Sequence, residues 1–188
     1  MQHILASLKP DGRAAVVLDT GAASRGSGNA NTNKEKDVRR WFVEQDLIEG
    51  VIYLPENLFY NTTAPGIILF LNKAKPDERK GKLFLLNASR EFAKGDPKNY
   101  LTDDGILRIA DTFKSWREQE KFSRIVARDE IAKPSNDFNI SPSRYIHTGV
   151  ADEYRPIAEI VEEIDGLEAE ASELGATLRR ILRSLHAT

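Results

Sequence analysis

Two short apolar runs between Leu47 and Lys73 set the tightest limit on how this chain can fold. Gly50 to Leu54 and Gly66 to Leu71 are rich in valine and isoleucine and too short for helices. They therefore read as strands buried on both faces, in the middle of a sheet. The segment between them has Pro55 and Pro65 near its ends and Leu58, Phe59 and Tyr60 inside it. An aromatic loop at the end of a buried strand is where an α/β protein places a ligand.

The flanking pattern agrees with a layered α/β architecture. Met1 to Leu8 has Ile4, Leu5 and Leu8 at helical spacing, Arg13 to Leu18 reads as a short strand, Lys34 to Gln45 as an amphipathic helix, and Lys82 to Leu86 as another strand. Helix, strand, helix, strand and strand in succession predicts an α/β sheet, and the short Val51-to-Leu71 pairing predicts an antiparallel strand inserted at its edge. In Lys34 to Gln45 the helical period assigns Val38, Trp41, Phe42 and Gln45 to the core side and Arg39 and Arg40 to the polar side. Those two arginines read either as a solvated face or as contacts to DNA phosphate. Leu101 to Glu118 contains a helix with Asp103 or Asp104 as its cap and Ile106, Ile109, Ala110, Phe113 and Trp116 on one face. A short strand at Ser123 to Val126 follows, and Asp137 to Tyr145 reads as an extended segment packed along the domain.

After the first strand, Asp19 to Gly28 is a glycine-bearing loop that runs into a polar stretch ending at Asn33. Backbone amides in such a loop can approach a phosphate or the methionine part of S-adenosylmethionine. The spacing is not GxGxxG and no GKS or GKT occurs, so a surface loop competes with a cofactor loop here. Arg25 is the residue that could meet a phosphate.

The C-terminal segment carries the clearest periodicity. Ile157, Ile164, Ala171, Leu178 and Leu185 occupy one heptad position, and Ile160, Leu167, Leu174 and Ile181 the other. This is an a/d seam on a helix that Pro156 would start at a favourable first-turn position. Such a seam needs a partner: another copy, another subunit, or the rest of the chain. The expected organisation is an α/β domain over residues 1–149 and a heptad-patterned helical tail over 150–188.

Composition narrows the function classes. There is no cysteine, which excludes disulfides and thiolate metal sites. His3, His147 and His186 stand in no ligand spacing, and neither Glu-x-x-His nor Gly-x-Ser-x-Gly appears, so no metal site and no catalytic residue is assigned. No signal-like or membrane-spanning run is present, which predicts a cytoplasmic protein with no membrane partner. From Ala151 onward nine acidic residues face four arginines, leaving the tail at −5 and the preceding 150 residues at +3. A mildly basic body is compatible with a nucleic-acid face.

Longer stretches carry a family resemblance. Met1 to Val17, Leu54-Pro55-Glu56-Asn57-Leu58-Phe59-Tyr60, Ile67 to Lys73, Lys80-Gly81-Lys82, Asn87 to Glu91 and Asn139-Ile140-Ser141-Pro142-Ser143-Arg144-Tyr145 together resemble the C-terminal half of type I restriction-modification modification (M) subunits, which are N6-adenine DNA methyltransferases. The resemblance implies the C-terminal portion of a Rossmann-like, S-adenosylmethionine-dependent methyltransferase sheet, followed by a long coiled-coil-type helix. It implies DNA, a specificity subunit and other modification subunits as partners, with a homo-oligomer through the tail as a further arrangement. Asn57, Phe59 and Tyr60 would lie on the target-base side of the cleft, where an aromatic face stacks on a flipped adenine. For Phe59, burial under the sheet end is the competing placement.

The family's cofactor loop and its Asn-Pro-Pro-Phe or Asn-Pro-Pro-Tyr motif belong upstream of the position equivalent to Met1, and neither occurs in this sequence. Ser141-Pro142-Ser143 cannot replace them. The expectation is a chain that binds no S-adenosylmethionine and is inactive alone, although the full family enzyme uses that cofactor. Two other functions compete: a non-enzymatic interaction module acting through the tail, and a nucleotide-binding enzyme using the Gly26 to Gly28 loop.

Overall fold

The computed structural model describes residues 1–28, 33–148 and 157–185. In chain order the elements are α1 (Gln2–Ser7), β1 (Arg13–Asp19), α2 (Gly21–Ser24), α3 (Lys34–Glu44), β2 (Ile48–Tyr53), β3 (Gly66–Asn72), β4 (Lys82–Asn87), α4 (Asp103–Ser115), β5 (Ser123–Ala127), α5 (Arg128–Ile131), α6 (Pro142–Tyr145) and α7 (Ile157–Leu185). The chain divides into two compact units, Met1–Thr148 and Gly149–Thr188.

The two apolar runs become β2 and β3, inside a five-stranded sheet of order β1-β3-β2-β4-β5. β3 is antiparallel to both β1 and β2, β2 is parallel to β4, and β4 is antiparallel to β5. The reversed strand of the Val51 to Leu71 pairing is thus not at an edge: β3 is held on both sides, with Val16 opposite Leu69 and Val51 opposite the same residue. Its apolar run is continuous rather than alternating because both faces of the sheet are covered, Leu69 and Leu71 facing one core and Ile68 and Phe70 the other.

Alternate side chains of the central strands feed two cores. On one face Val51, Leu69, Leu71, Leu83 and Leu85 pack with Ala23, Phe42, Val43, Ile131 and Ile140. On the other, Ile52, Phe84 and Leu86 pack with Ile109 and Phe122, with Ile68, Phe70 and Phe113 against them. Gly50 permits this second layer, because a β-carbon there would strike the Phe84 carbonyl and stand 2.9 Å from the Phe113 ring. Truncating a fully buried leucine such as Leu85 to alanine would cost about 2–5 kcal/mol.

Several local expectations are corrected. In α3 the buried residues are Arg39, Phe42 and Val43, whereas Val38 and Trp41 are exposed. A buried arginine can replace an apolar residue on the inner face when every donor finds an acceptor. The cap of α4 is Thr102, whose hydroxyl accepts from the Gly105 amide, rather than Asp103 or Asp104, which lie in the first turn where the helix dipole favours them. Asp137 to Tyr145 is not extended throughout, since Asp137 and Phe138 adopt left-handed backbone and α6 forms a helical turn.

The second unit contains the 29-residue helix α7. Ile157, Ile160, Ile164, Leu167, Leu174 and Leu178 are exposed along it. The Pro156 start and the side chains of Ile181 and Leu185 lie outside the described residues.

Candidate functional site

Because β1, β2 and β4 point the same way, Asp19, Tyr53 and Asn87 end at one side of the sheet. Open α/β sheets bind ligands outside the carboxyl ends of such strands. Two cavities lie there. One, of about 360 Å³, is lined by Tyr53, Glu56, Asn57, Asn87, Phe92 and Asn99 among others. The other, of about 430 Å³, is lined by Thr20, Tyr53, Asn139, Ser143, Arg144 and His147 among others. Tyr53 and Ser143 border both.

The loop after β2 is pinned at its base and free at its tip. The Leu54 amide donates to the Gly66 carbonyl and the Asn57 amide to the Thr63 carbonyl, both at 2.9 Å. Asn57 and Asn61 take left-handed backbone, with φ of 55° and 60°, a conformation asparagine tolerates better than most residues. Lys98 Nζ then donates to Asn57 Oδ1 at 2.9 Å and to the Thr62 carbonyl at 3.0 Å. The Asn99 side-chain amide donates to the Glu56 carbonyl at 2.9 Å.

These clamps separate the two aromatic residues. Phe59 packs against the Ile52, Leu54 and Phe84 core, and a β-carbon on Gly66 would come within 2.7 Å of its ring. Tyr60 stands at the tip with 86% of its surface exposed. Asn57 borders the smaller cavity with its side-chain oxygen taken by Lys98.

The glycine-bearing loop after β1 has a different character. Its first part winds into α2, the Gly21 amide donates to Asp19 Oδ1, and the Gly28 amide donates to Asp137 Oδ2 at 2.8 Å. Arg39 closes it from below, donating to the carbonyls of Phe138, Ala22 and Arg25 and to Ser27 Oγ. Burial pulls the Arg39 guanidinium below its ordinary pKa, while Asp137 and Glu35 oppose the shift. The Gly28 amide, with Lys36 beside it, holds the Asp137 carboxyl below the usual carboxylate range.

The three arginines expected at DNA phosphate are therefore all engaged. Arg39 is buried, Arg25 pairs with Asp19 and Glu35, and Arg40 pairs with Glu44 and lies over the Phe138 ring. The periodicity that put Arg39 on the polar side had no means of seeing the carbonyls that receive it. Among the described residues no group of histidine and acidic side chains could hold a metal ion, and no helix is long and apolar enough to cross a membrane.

The sequence model of the N-6 DNA methylase family matches residues 1–153. The chain belongs to the N-6 DNA methylase family. It is 42% identical over 177 residues to the type I restriction enzyme MjaVIII methylase subunit of Methanocaldococcus jannaschii, covering 93% of this chain and 29% of that protein. The HindI methylase subunit of Haemophilus influenzae is 32% identical over 197 residues, covering 98% of this chain and 42% of that protein. Among solved structures, the type I restriction-modification methyltransferase subunit from Streptococcus thermophilus superposes with a TM-score of 0.69 at 34% identity, over 78% of this chain and 29% of that one. The chain thus spans between 29% and 42% of the length of these three proteins. N-6 DNA methylases are adenine-N6 DNA methyltransferases, and the resemblance read from the sequence is borne out.

Within this N-6 DNA methylase fold, sequence reasoning missed Tyr53, Asn87, Phe92, Arg144 and His147 as cleft residues and Lys98 as the clamp of the loop after β2. They lie on four separate stretches, and the parallel run of β1, β2 and β4 brings those stretches together. A charged or aromatic residue just after a strand was the one available signal, and it needed the strand order to be used.

Proposed function

We propose that this chain is the C-terminal portion of a type I modification subunit that methylates adenine N6 in DNA, and that it supplies the target-base side of the cleft. Its sheet is then the last part of a Rossmann-like methyltransferase sheet. The observation that carries this reading is the loop after β2, clamped at its base by Lys98, which leaves Tyr60 exposed at its tip while Asn57 borders a polar cavity at the carboxyl ends of the strands. A flipped base is stacked on an aromatic face and hydrogen-bonded along its polar edge. Tyr60 offers the face and Asn57 an amide, while Phe59 supports the loop from beneath.

The full enzyme requires S-adenosylmethionine, which supplies the methyl group. The loop after β1 does not fit that cofactor, because its Gly21 and Gly28 amides are spent on Asp19 and Asp137 and Arg39 occupies its floor. This chain alone neither binds the cofactor nor methylates DNA, and the complete subunit works in the cytoplasm, where its DNA lies. The exposed heptad residues of α7, from Ile157 to Leu178, form a coiled-coil seam for a specificity subunit. Val17 and Trp41, 57% and 46% exposed, belong to surfaces that the rest of a modification subunit covers.

The direct test is a chimera in which this chain replaces its matching segment of the MjaVIII methylase subunit, assayed for N6-methyladenine in DNA. The expected result is methylation that Tyr60→Ala lowers by about ten- to a hundredfold, in line with removal of one base-stacking interaction of about 1–3 kcal/mol. An inactive but folded chimera, or full activity in Tyr60→Ala, would overturn the reading. For the tail, Leu167→Lys is expected to abolish capture of the specificity subunit while leaving the first unit's melting unchanged. Unaltered capture would remove the seam from the proposal.

A further inference from the structure

The larger cavity at the strand ends has a chemistry that the base-side reading does not use. Arg144 borders it, and its guanidinium is held by two hydrogen bonds: Nε donates to Asn136 Oδ1 at 2.9 Å and Nη2 donates to the Ser135 carbonyl. Arg25, Arg40, Arg79, Arg108 and Arg124 each pair with an acidic side chain. Among the described residues Arg144 has no such pair, and no aspartate or glutamate lines its cavity. Around it stand the hydroxyls of Thr20, Tyr53 and Ser143 and the imidazole of His147. Ser143 Oγ lies 2.9 Å from Ser141 Oγ, and both residues line the cavity.

A braced guanidinium without an acidic partner, in a lining that also holds hydroxyl and imidazole side chains, is the donor set of an oxyanion site. Across the shared wall of Tyr53 and Ser143 lies the smaller cavity, with the amides of Asn57 and Asn87 and the Phe92 ring. One compartment suits an anion and the next a flat ring with polar edges. A nucleotide has both parts joined by a sugar.

The geometry points to Arg144, with Ser143 and His147, as the holder of a DNA phosphate beside the extruded adenine. This rests on the base-side reading given above and assigns the backbone contact that accompanies it. The site positions the strand without reading sequence, because a phosphate is the same at every nucleotide.

The test measures binding of a fluorescent single-stranded oligodeoxyadenylate to the full chain by anisotropy across a salt series. Removing one phosphate interaction should flatten the slope of log affinity against log salt by about 0.7. Arg144→Gln is expected to show that flattening with a roughly tenfold loss at low salt, and Tyr60→Ala a loss at unchanged slope. Arg144→Lys should restore the slope, and Ser143→Asp should weaken binding without touching the Arg144 brace, which guards against misfolding of the glutamine variant.

If Tyr60→Ala weakens binding while Arg144→Gln and Ser143→Asp leave affinity and slope alone, the phosphate site is wrong and the base-side reading stands. If the wild-type chain fails to bind, or Tyr60→Ala binds like wild type, the base-side reading falls and takes the site with it. Inorganic phosphate titrated into the same chain separates the sources. Binding of inorganic phosphate that needs Arg144, with no Arg144 effect on the oligonucleotide, would make this a free-anion site and overturn the DNA assignment.

Discussion

The loops that follow β1 and β2 leave the sheet at the same end, yet they are built for opposite purposes. After β1, glycine amides that could have faced a ligand donate inward to Asp19 and Asp137, and a buried arginine fills the space beneath. After β2, the base of the loop is fastened by Lys98 and Asn99 and the tip is left in solvent with Tyr60 on it. Glycine content gives a loop its freedom of backbone, but where the hydrogen bonds go decides whether that freedom serves a ligand or the fold. In the loop with the cofactor-like composition the Gly21 and Gly28 amides turn to the protein's own carboxylates, and the loop with prolines and aromatic residues is the one presented outward.

The sharpest way to break this contrast is Arg39→Met. It leaves the carbonyls of Ala22, Arg25 and Phe138 without their donor, so thermal or urea unfolding should show a loss of about 3 kcal/mol or more. A loss under about 1 kcal/mol would mean that the loop after β1 does not depend on its floor. Lys98→Met should cost less, about 1–2 kcal/mol, and should speed proteolysis within residues 54–65, because two acceptors of the clamp lose their partner.

Asp137→Asn should cost about 1 kcal/mol near neutral pH, and its pH dependence carries a definite sign. The Gly28 amide and Lys36 lower the folded-state pKa of Asp137 below its unfolded value of 3.8. The unfolded chain therefore binds the proton first as pH falls. The contribution is complete above that value and is lost as pH drops through the folded-state pKa. In the asparagine variant this part of the acid sensitivity below about pH 4 should vanish, as followed by circular dichroism. The smallest stability effect belongs to Tyr60→Ala, expected within about 0.5 kcal/mol because the side chain is exposed. A larger loss would show that the tip is held by packing and would weaken the contrast.

How far the sequence could be read followed from the range of each signal. Val51, Ile68 and Leu85 announced buried strands because burial on both faces demands an unbroken apolar run. Phe59 and Tyr60 marked a loop of interest for the same local reason, although only packing against Ile52 and Leu54 separated the supporting ring from the exposed one. Arg39 was misplaced because helical period reports apolar character, and the groups that accept its protons come from residues 22, 25, 27 and 138. Arg144 stood in a segment read for packing and for family resemblance, and His147 was set aside for want of a ligand spacing.

The sequence by itself therefore determined the strands, the family and the outward aromatic loop, since each is written in neighbouring residues. Tertiary structure alone decided that β3 lies inside the sheet, that the glycine loop is closed, and that Tyr53, Ser143 and Arg144 share a cleft. Those features depend on partners up to about a hundred residues apart, as with Arg39 and Phe138. Hydrogen bonds and charge pairs over such separations leave no periodic trace in the chain.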